Sequence, residues 1–225
     1  VCIAEPNIDR CYKYYDQAYE INVLKTQKLI HELSAEGFQI IFFSTDNVFD
    51  GADGNYTEES KLHAINKYGM MKAEMEHYLL TYKPEVCILR IPKVVSTSRK
   101  KHNIFTEWEQ GIETGNIRCI KGNRLSFVCI DDLYNACLLV AGKKLHGLYN
   151  IVGDEVYSRA ELARIFCAQL GATAVDIQEC DLSEFSFKDN RPLNISMINE
   201  KFKKETGYQF MSMELVIKMY CDYIQ

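Results

Sequence analysis

The residues best suited to chemistry are a tyrosine and a lysine four positions apart, preceded along the chain by two hydroxyl side chains. Tyr68 and Lys72 lie in the segment NKYGMMKAE, and Ser44 and Thr45 follow the apolar run FQIIFF. On a helix, side chains four positions apart share a face. A neighbouring ammonium group favours phenolate and lowers the pKa of a tyrosine toward a value usable in acid–base catalysis. With a strand-end hydroxyl to hold a carbonyl oxygen, these residue types predict reduction of a carbonyl by a nicotinamide.

The pair has a simpler interpretation when it is taken alone. In a chain with fourteen tyrosines, a Tyr-x-x-x-Lys spacing arises about once by chance. A solvated helix face would then explain both residues. The elements that surround the pair decide between the two interpretations.

The first half of the chain alternates helical and strand patterns. A helical pattern over residues 15–36 precedes the strand FQIIFF, and a helix from Lys67 to Tyr82, ended by Pro84, precedes the strand VCILRI. Continuous apolar runs of strand length are typical of strands buried on both faces of a parallel sheet. Strands that alternate with helices at these lengths predict right-handed crossover units.

The pattern changes after Pro92, where shorter strands and amphipathic helices follow one another. We therefore predict an α/β fold, with a partial Rossmann-like, doubly wound parallel sheet and a smaller mixed α/β lobe. Residues 1–97, together with 124–143, are assigned to the Rossmann-like part. Residues 98–123 and 144–225 are assigned to a substrate-binding lobe.

Composition excludes several classes of function. The formal net charge is −5, without a basic stripe, which argues against a nucleic-acid partner. The apolar runs are too short to span a membrane. The nine cysteines occur singly, without a C-x-x-C or a Cys/His cluster, so no metal site is predicted. Buried thiols in a reducing compartment are the expected arrangement, which favours a cytoplasmic protein.

Several ordered segments together resemble the extended short-chain dehydrogenase/reductases, most closely the dTDP-4-dehydrorhamnose reductase group. The segments that carry the resemblance, in chain order, are PNIDRC, AYEIN, STDNVFDG, NKYGMMKAE, LRIPKVV and DNRPLNISMINEKF. The resemblance implies reduction of a nucleotide-linked 4-keto sugar with NADP or NAD as cofactor. A homodimer is an assembly compatible with it.

The resemblance also implies roles for individual residues in catalysis and cofactor binding. Tyr68 would protonate the new alkoxide, and Lys72 would bind the nicotinamide ribose and lower the pKa of Tyr68. Thr45 would orient the carbonyl, with Ser44 beside it at the cofactor. The nicotinamide ring would lie against Ile91 and Pro92.

Three further residues are expected on the substrate side. Asn22 matches a family asparagine that shapes a proton path. Arg191 would bind the nucleotide diphosphate, because its fork pairs with phosphate oxygens; a surface ion pair with Asp189 or Glu200 is the alternative. Arg124 is a weaker second candidate for a phosphate.

The departures from the family are informative. The sequence contains no Gly-x-Gly-x-x-Gly or Gly-x-x-Gly-x-x-Gly loop, which in this family holds the cofactor pyrophosphate at a helix N-terminus. We therefore expect that an N-terminal part with that loop and the first three strands is absent from the sequence. Related dehydratases have Asp-Glu after the threonine, whereas this chain has Asp46-Asn47, and an amide cannot exchange the proton that dehydration requires. An epimerase of the same superfamily and a non-catalytic regulatory or binding subunit remain as alternatives to a reductase.

Overall fold

A computed structural model describes residues 1–100 and 102–222 of the chain. The helices are α1 (Ile8–Lys13), α2 (Tyr15–Tyr19), α3 (Thr26–Ala35), α4 (Lys67–Tyr82), α5 (Ile104–Thr114), α6 (Ile130–Lys143), α7 (Arg159–Gln169), α8 (Glu200–Thr206) and α9 (Met213–Asp222). The strands are β1 (Ile41–Thr45), β2 (Cys87–Ile91), β3 (Lys93–Val95), β4 (Asn116–Ile120), β5 (Leu125–Cys129), β6 (Gly147–Asn150), β7 (Val156–Tyr157) and β8 (Asp176–Cys180).

The main sheet is parallel and has the strand order β1-β2-β6. Its central strand, β2, aligns Ile91 with Thr45 of β1, so the carboxyl ends of these two strands lie side by side. Strand β6 had been assigned to the substrate lobe with residues 144–225, but it pairs with β2 over Cys87–Arg90. This strand therefore belongs to the Rossmann-like sheet, because a crossover returns the chain to that sheet after α6.

Helices cover both faces of this sheet. On one face, α3 and α4 pack against β1 and β2 through Ile30, Met75 and Leu79. On the other face, α6 and α8 pack through Val140 and Phe202. The predicted α/β fold with a doubly wound parallel sheet is therefore confirmed.

The lobe has a separate core that is rich in aromatic side chains. Phe105, Trp108, Phe166 and Tyr220 contact one another between α5, α7 and α9. Two short sheets, β3-β5-β7 and β4-β8, border this core. Trp108 is only 2% exposed in this core.

The helix predicted over residues 15–36 is interrupted by a π-helical stretch over Glu20–Lys25, between α2 and α3. Such stretches are rare and often lie at functional sites. This one carries the buried side chain of Asn22. Within the described residues, no helix is both long enough and apolar enough to cross a membrane.

Candidate active site

Asn66 fixes the start of α4, the helix that carries both Tyr68 and Lys72. Its side-chain oxygen accepts a hydrogen bond from the Gly69 N–H at 2.8 Å. Its amide nitrogen donates to Asn47 Oδ1 at 3.0 Å. These bonds cap the helix and tie its first turn to the loop that follows β1.

Gly69 lets the first turn of α4 approach that loop. A Cβ atom at this position would lie 2.0 Å from the carbonyl oxygen of Asn47. No side chain fits at that distance, so the glycine brings Tyr68 against the end of β1.

Tyr68 and Thr45 meet at this point. Thr45 ends β1 and is buried, and its side chain lies near the phenol of Tyr68. Burial raises the pKa of Tyr68, and the negative charge of Asp46 raises it further. Desolvation dominates this shift, and the expected lowering of the Tyr68 pKa by Lys72 stays a prediction. Tyr68 is a protonated phenol at neutral pH, the form that a proton donor requires.

Lys72 lies one turn further along α4 and is almost fully buried. Its Nζ donates to the carbonyl oxygen of Phe43 at 2.8 Å and lies 6.0 Å from the centre of the Tyr68 ring. Burial lowers its pKa to about 8, opposed by the carboxylate of Glu76. This bond holds the Lys72 ammonium against β1 and uses one of its three N–H donors.

Asp46 and Asn47 surround the Thr45 hydroxyl with polar atoms. The Thr45 hydroxyl donates to Asp46 Oδ1 at 3.0 Å and accepts from the Asn47 N–H at 3.2 Å. Asn47 Nδ2 donates to the same Asp46 oxygen at 2.9 Å. Asp46 is 5% exposed, and burial raises its pKa to about 6. Sequence reasoning considered these two residues only in relation to dehydration.

Ser44 does not join this group, although it was predicted at the cofactor. Its hydroxyl donates to the carboxylate of Glu76, inside the protein. Successive side chains of a strand point to opposite faces, which separates Ser44 from Thr45. Glu76 also accepts from Arg90 Nη2 at 2.7 Å, and both of these charged side chains are at most 2% exposed.

The side chain of Asn22 hydrogen-bonds the backbone of Glu5. Its Oδ1 accepts from the Glu5 N–H at 2.8 Å, and its Nδ2 donates to the Glu5 carbonyl oxygen at 3.0 Å. Nδ2 also lies 3.6 Å from the sulfur of Met71 on α4. The side chain therefore links the segment before α1 to α4. Its expected part in a proton path stays a prediction.

Ile91 and Pro92 follow one another at the carboxyl end of β2. Ile91 is half-buried and lies beside Thr45 through the strand register, and Pro92 is buried. The structure thus brings together Thr45, Tyr68, Lys72 and the Ile91–Pro92 pair at one edge of the sheet. That edge is where parallel α/β sheets bind their ligands.

Arg191 belongs to a segment that lies against the start of α4. Its Nη2 pairs with Asp9 Oδ1 of α1 at 2.8 Å, and its guanidinium carbon lies 4.4 Å from the centre of the Phe187 ring. Asp189 accepts from the Lys67 N–H at 2.7 Å, next to Tyr68. Arg191 therefore forms an ion pair, as the alternative interpretation expected, but its partner is Asp9 rather than Asp189 or Glu200.

Arg124 lies immediately before β5. Its Nη1 pairs with Glu161 at 2.7 Å, and its Nη2 donates to the Val156 carbonyl oxygen at 3.1 Å. Its backbone pairs with Leu193 and Ile195, just beyond the Arg191 segment. None of these contacts brings the Arg124 side chain to Thr45 or Tyr68.

Comparison with known proteins identifies the family of the chain. The family model described as the RmlD substrate binding domain matches residues 1–225. The chain belongs to the RmlD substrate-binding domain family. The resemblance to the dTDP-4-dehydrorhamnose reductase group is thereby confirmed at the level of the family.

Curated relatives of this RmlD-family chain fall into two groups. It is 25% identical over 181 residues to methionine adenosyltransferase 2 subunit beta of Xenopus laevis, and the aligned part covers 76% of this chain and 53% of that protein. It is 26% identical over 219 residues to dTDP-4-dehydrorhamnose reductase of Sinorhizobium fredii, which covers 92% of this chain and 73% of that protein. The chain thus spans about half the length of the first of these relatives.

Solved structures share the fold of the RmlD-family chain. The dTDP-4-dehydrorhamnose reductase from Clostridium acetobutylicum superposes with a TM-score of 0.90 at 24% identity, covering 100% of this chain and 79% of that one. The reductase from Bacillus anthracis, crystallised in complex with NADP, gives a TM-score of 0.89 at 21% identity, covering 99% and 79%. The described residues of our chain contain no group of three or more His, Cys, Asp or Glu side chains suited to a metal ion.

Proposed function

We propose that this chain forms the catalytic and substrate-binding part of an NAD(P)H-dependent reductase of a nucleotide-linked 4-keto sugar. The observation that carries the proposal is the convergence of Thr45, Tyr68 and Lys72 at the carboxyl end of β1. The family membership and the similarity to dTDP-4-dehydrorhamnose reductases support the same assignment.

The chemical roles follow from the environment of each residue. A nicotinamide, when bound, would supply a hydride to the carbonyl carbon. Tyr68 would give its phenolic proton to the carbonyl oxygen, a transfer suited to a tyrosine that burial keeps protonated. The remaining N–H donors of Lys72 would hold the ribose hydroxyls. Ile91 and Pro92 would form an apolar surface for the ring.

Substrate binding is assigned to the lobe and to the segment after β8. Arg191 would bind the diphosphate, since it closely follows Asp189, which accepts from the first turn of α4. We assign residues 1–97, 124–143 and the strand β6 to the cofactor side, and residues 98–123 with the rest of 144–225 to the substrate side. Free cysteines among the described residues accord with a reducing, cytoplasmic compartment, and we propose a homodimer as the assembly.

The test is reduction of dTDP- and UDP-linked 4-keto sugars by the native polypeptide with NADPH and NADH. Tyr68→Phe should lower kcat by about 100-fold or more, because it removes the proton donor. Its affinity for the nucleotide sugar should change little, because the phenyl ring remains. Tyr82→Phe, on the exposed end of the same helix, is the matched control. A Tyr68→Phe variant with wild-type turnover would contradict the assignment.

A second candidate comes from the other group of relatives. The chain is similar to methionine adenosyltransferase 2 subunit beta, so it could instead act as a non-catalytic subunit of such an assembly. In that case the native polypeptide would alter methionine adenosyltransferase activity, and Tyr68→Phe would do so equally well.

A further inference from the structure

The hydroxyl of Thr45 has a single proton, and in this structure Asp46 accepts it. The donor–acceptor distance is 3.0 Å. One lone pair of the same oxygen accepts from the backbone N–H of Asn47 at 3.2 Å, whereas Asn47 Nδ2 lies 3.4 Å away and makes its shorter bond to Asp46 Oδ1 at 2.9 Å. A hydroxyl provides one donor and two acceptor positions. Thr45 therefore has no donor left for a substrate oxygen while Asp46 takes its proton.

Asp46 is built into the site rather than solvated. It is 5% exposed, and the short helical turn Asp46–Val48 packs against α4. Two titratable groups on other elements interact electrostatically with it, Tyr68 on α4 and Lys93 on β3. Lys93 makes no ion pair within the described residues, and partial desolvation lowers the pKa of its ammonium although the residue is exposed. A buried carboxyl group with one weakly placed cation nearby can exist in either protonation state near neutral pH.

We propose that Asp46 is a positioning residue whose protonation state decides where the Thr45 hydroxyl donates. This inference rests on the proposed reductase function. With Asp46 ionised, Thr45 donates to the carboxylate and faces the substrate carbonyl with lone pairs only. With Asp46 protonated, the carboxyl O–H donates to Thr45 Oγ1, and the Thr45 proton turns to the carbonyl oxygen.

Neither residue gives up its proton in the reaction. The carbonyl carbon gains a hydride, the carbonyl oxygen gains the Tyr68 proton, and Tyr68 is left as phenolate. Thr45 only hydrogen-bonds the oxygen on which negative charge develops, and Asp46 only hydrogen-bonds Thr45. A donor aimed at such an oxygen stabilises the transition state more than the ground state.

The first test needs neither cofactor nor substrate. The ¹³Cγ resonance of Asp46 is titrated by NMR from pH 4 to 9, and Asp46→Asn identifies the signal. In wild type the Thr45 bond favours the carboxylate, so Thr45→Val should raise the titration midpoint by about one pH unit. Thr45→Ser keeps the hydroxyl and should leave the midpoint near the wild-type value. Thr45→Ala replaces Thr45→Val if the valine variant does not fold.

A midpoint that is the same in the valine, serine and wild-type proteins would overturn the inference, because Thr45 would then not donate to Asp46. This outcome is independent of activity. If the native polypeptide reduces no nucleotide-linked keto sugar, the proposed function fails, whereas the NMR titration still decides the direction of the Thr45 bond.

The second test is the pH dependence of kcat/KM for the reductase. Wild type should lose kcat/KM as pH rises through the midpoint found by NMR. Asp46→Asn should lack that decrease, because an amide does not titrate. If Asp46 were merely structural, Asp46→Asn would change the level of kcat/KM without changing the shape of its pH profile. Identical decreases in both proteins would refute the positioning role.

Discussion

Replacing Glu76 with glutamine should remove a large part of the stability of the fold. Glu76 is 0% exposed and Arg90 is 2% exposed. Arg90 Nε lies 3.0 and 3.2 Å from the two oxygens of Glu76, and Nη2 lies 2.7 Å from one of them. Glutamine keeps one acceptor oxygen and turns an NH₂ group toward the guanidinium, so a buried positive charge loses its counter-ion.

The magnitude follows from that uncompensated charge. Breaking a buried ion pair from one side typically costs about 3–5 kcal/mol, and hydrogen bonds to charged groups are each worth about 1.5–3 kcal/mol. Two such bonds are lost here, so we expect a decrease of about 4 kcal/mol in the free energy of unfolding. That is a substantial fraction of the roughly 5–15 kcal/mol that stabilises a typical domain.

The assay is urea unfolding at pH 7, followed by far-ultraviolet circular dichroism for the whole chain and by Trp108 fluorescence for the lobe. With a urea m-value of about 2–3 kcal/mol/M, the midpoint should fall by about 1.3–2 M. Glu179→Gln is the control, because its partner Arg164 is 52% exposed and the pair should contribute less than about 1 kcal/mol. The double variant Glu76→Leu/Arg90→Met should recover stability relative to Glu76→Gln. A loss below about 1 kcal/mol for Glu76→Gln would refute the reasoning.

Three further changes test other parts of the site. Gly69→Ala should lower the free energy of unfolding in urea by about 2 kcal/mol or more, because the alanine Cβ would lie 2.0 Å from a carbonyl oxygen. Gly142→Ala is the control, because its Cβ would meet nothing within 4 Å, and it should be neutral or stabilising. Lys72, whose pKa falls from 10.5 to about 8 on folding, binds fewer protons in the folded state between these values. Stability relative to Lys72→Met should therefore rise by about 3 kcal/mol from pH 8 to 10.5, and a flat difference would contradict the burial of the ammonium. Arg191→Ala should weaken binding of dTDP or UDP by about 1.5–3 kcal/mol in calorimetric titration, whereas Arg164→Ala should not; equal binding by both variants would remove Arg191 from the diphosphate site.

Local pattern was sufficient to predict the elements that carry the site. Helix α4 and strands β1 and β2 lie close to where apolar periodicity and Pro84 placed them, because their apolar positions repeat over enough residues to indicate one structure. The approach of Tyr68 to Thr45 followed from spacing and from the family resemblance. Neither needed knowledge of distant contacts.

The parts that sequence reasoning missed depend on contacts between distant segments. Arg90 and Glu76 are residue types that are usually exposed, and only the packing of α4 on β2 buries them together. The upward shift of the Tyr68 pKa could not be inferred from the lysine four residues later, because desolvation depends on the whole surrounding structure. Strand β6 was assigned to the lobe because its sequence does not specify which sheet it joins.

The segment around Arg191 has a consequence for how the site forms during synthesis. Arg191 reaches Asp9 across 182 residues of sequence, and Asp189 reaches Lys67 across 122. Contacts with such long sequence separation form late, because the chain must close large loops before they contribute. A ribosome-bound chain that has not yet exposed residue 191 would carry Tyr68 on an incompletely anchored helix. The protein should therefore gain its binding capacity only after residue 191 has left the ribosome and its segment has bound α1 and α4.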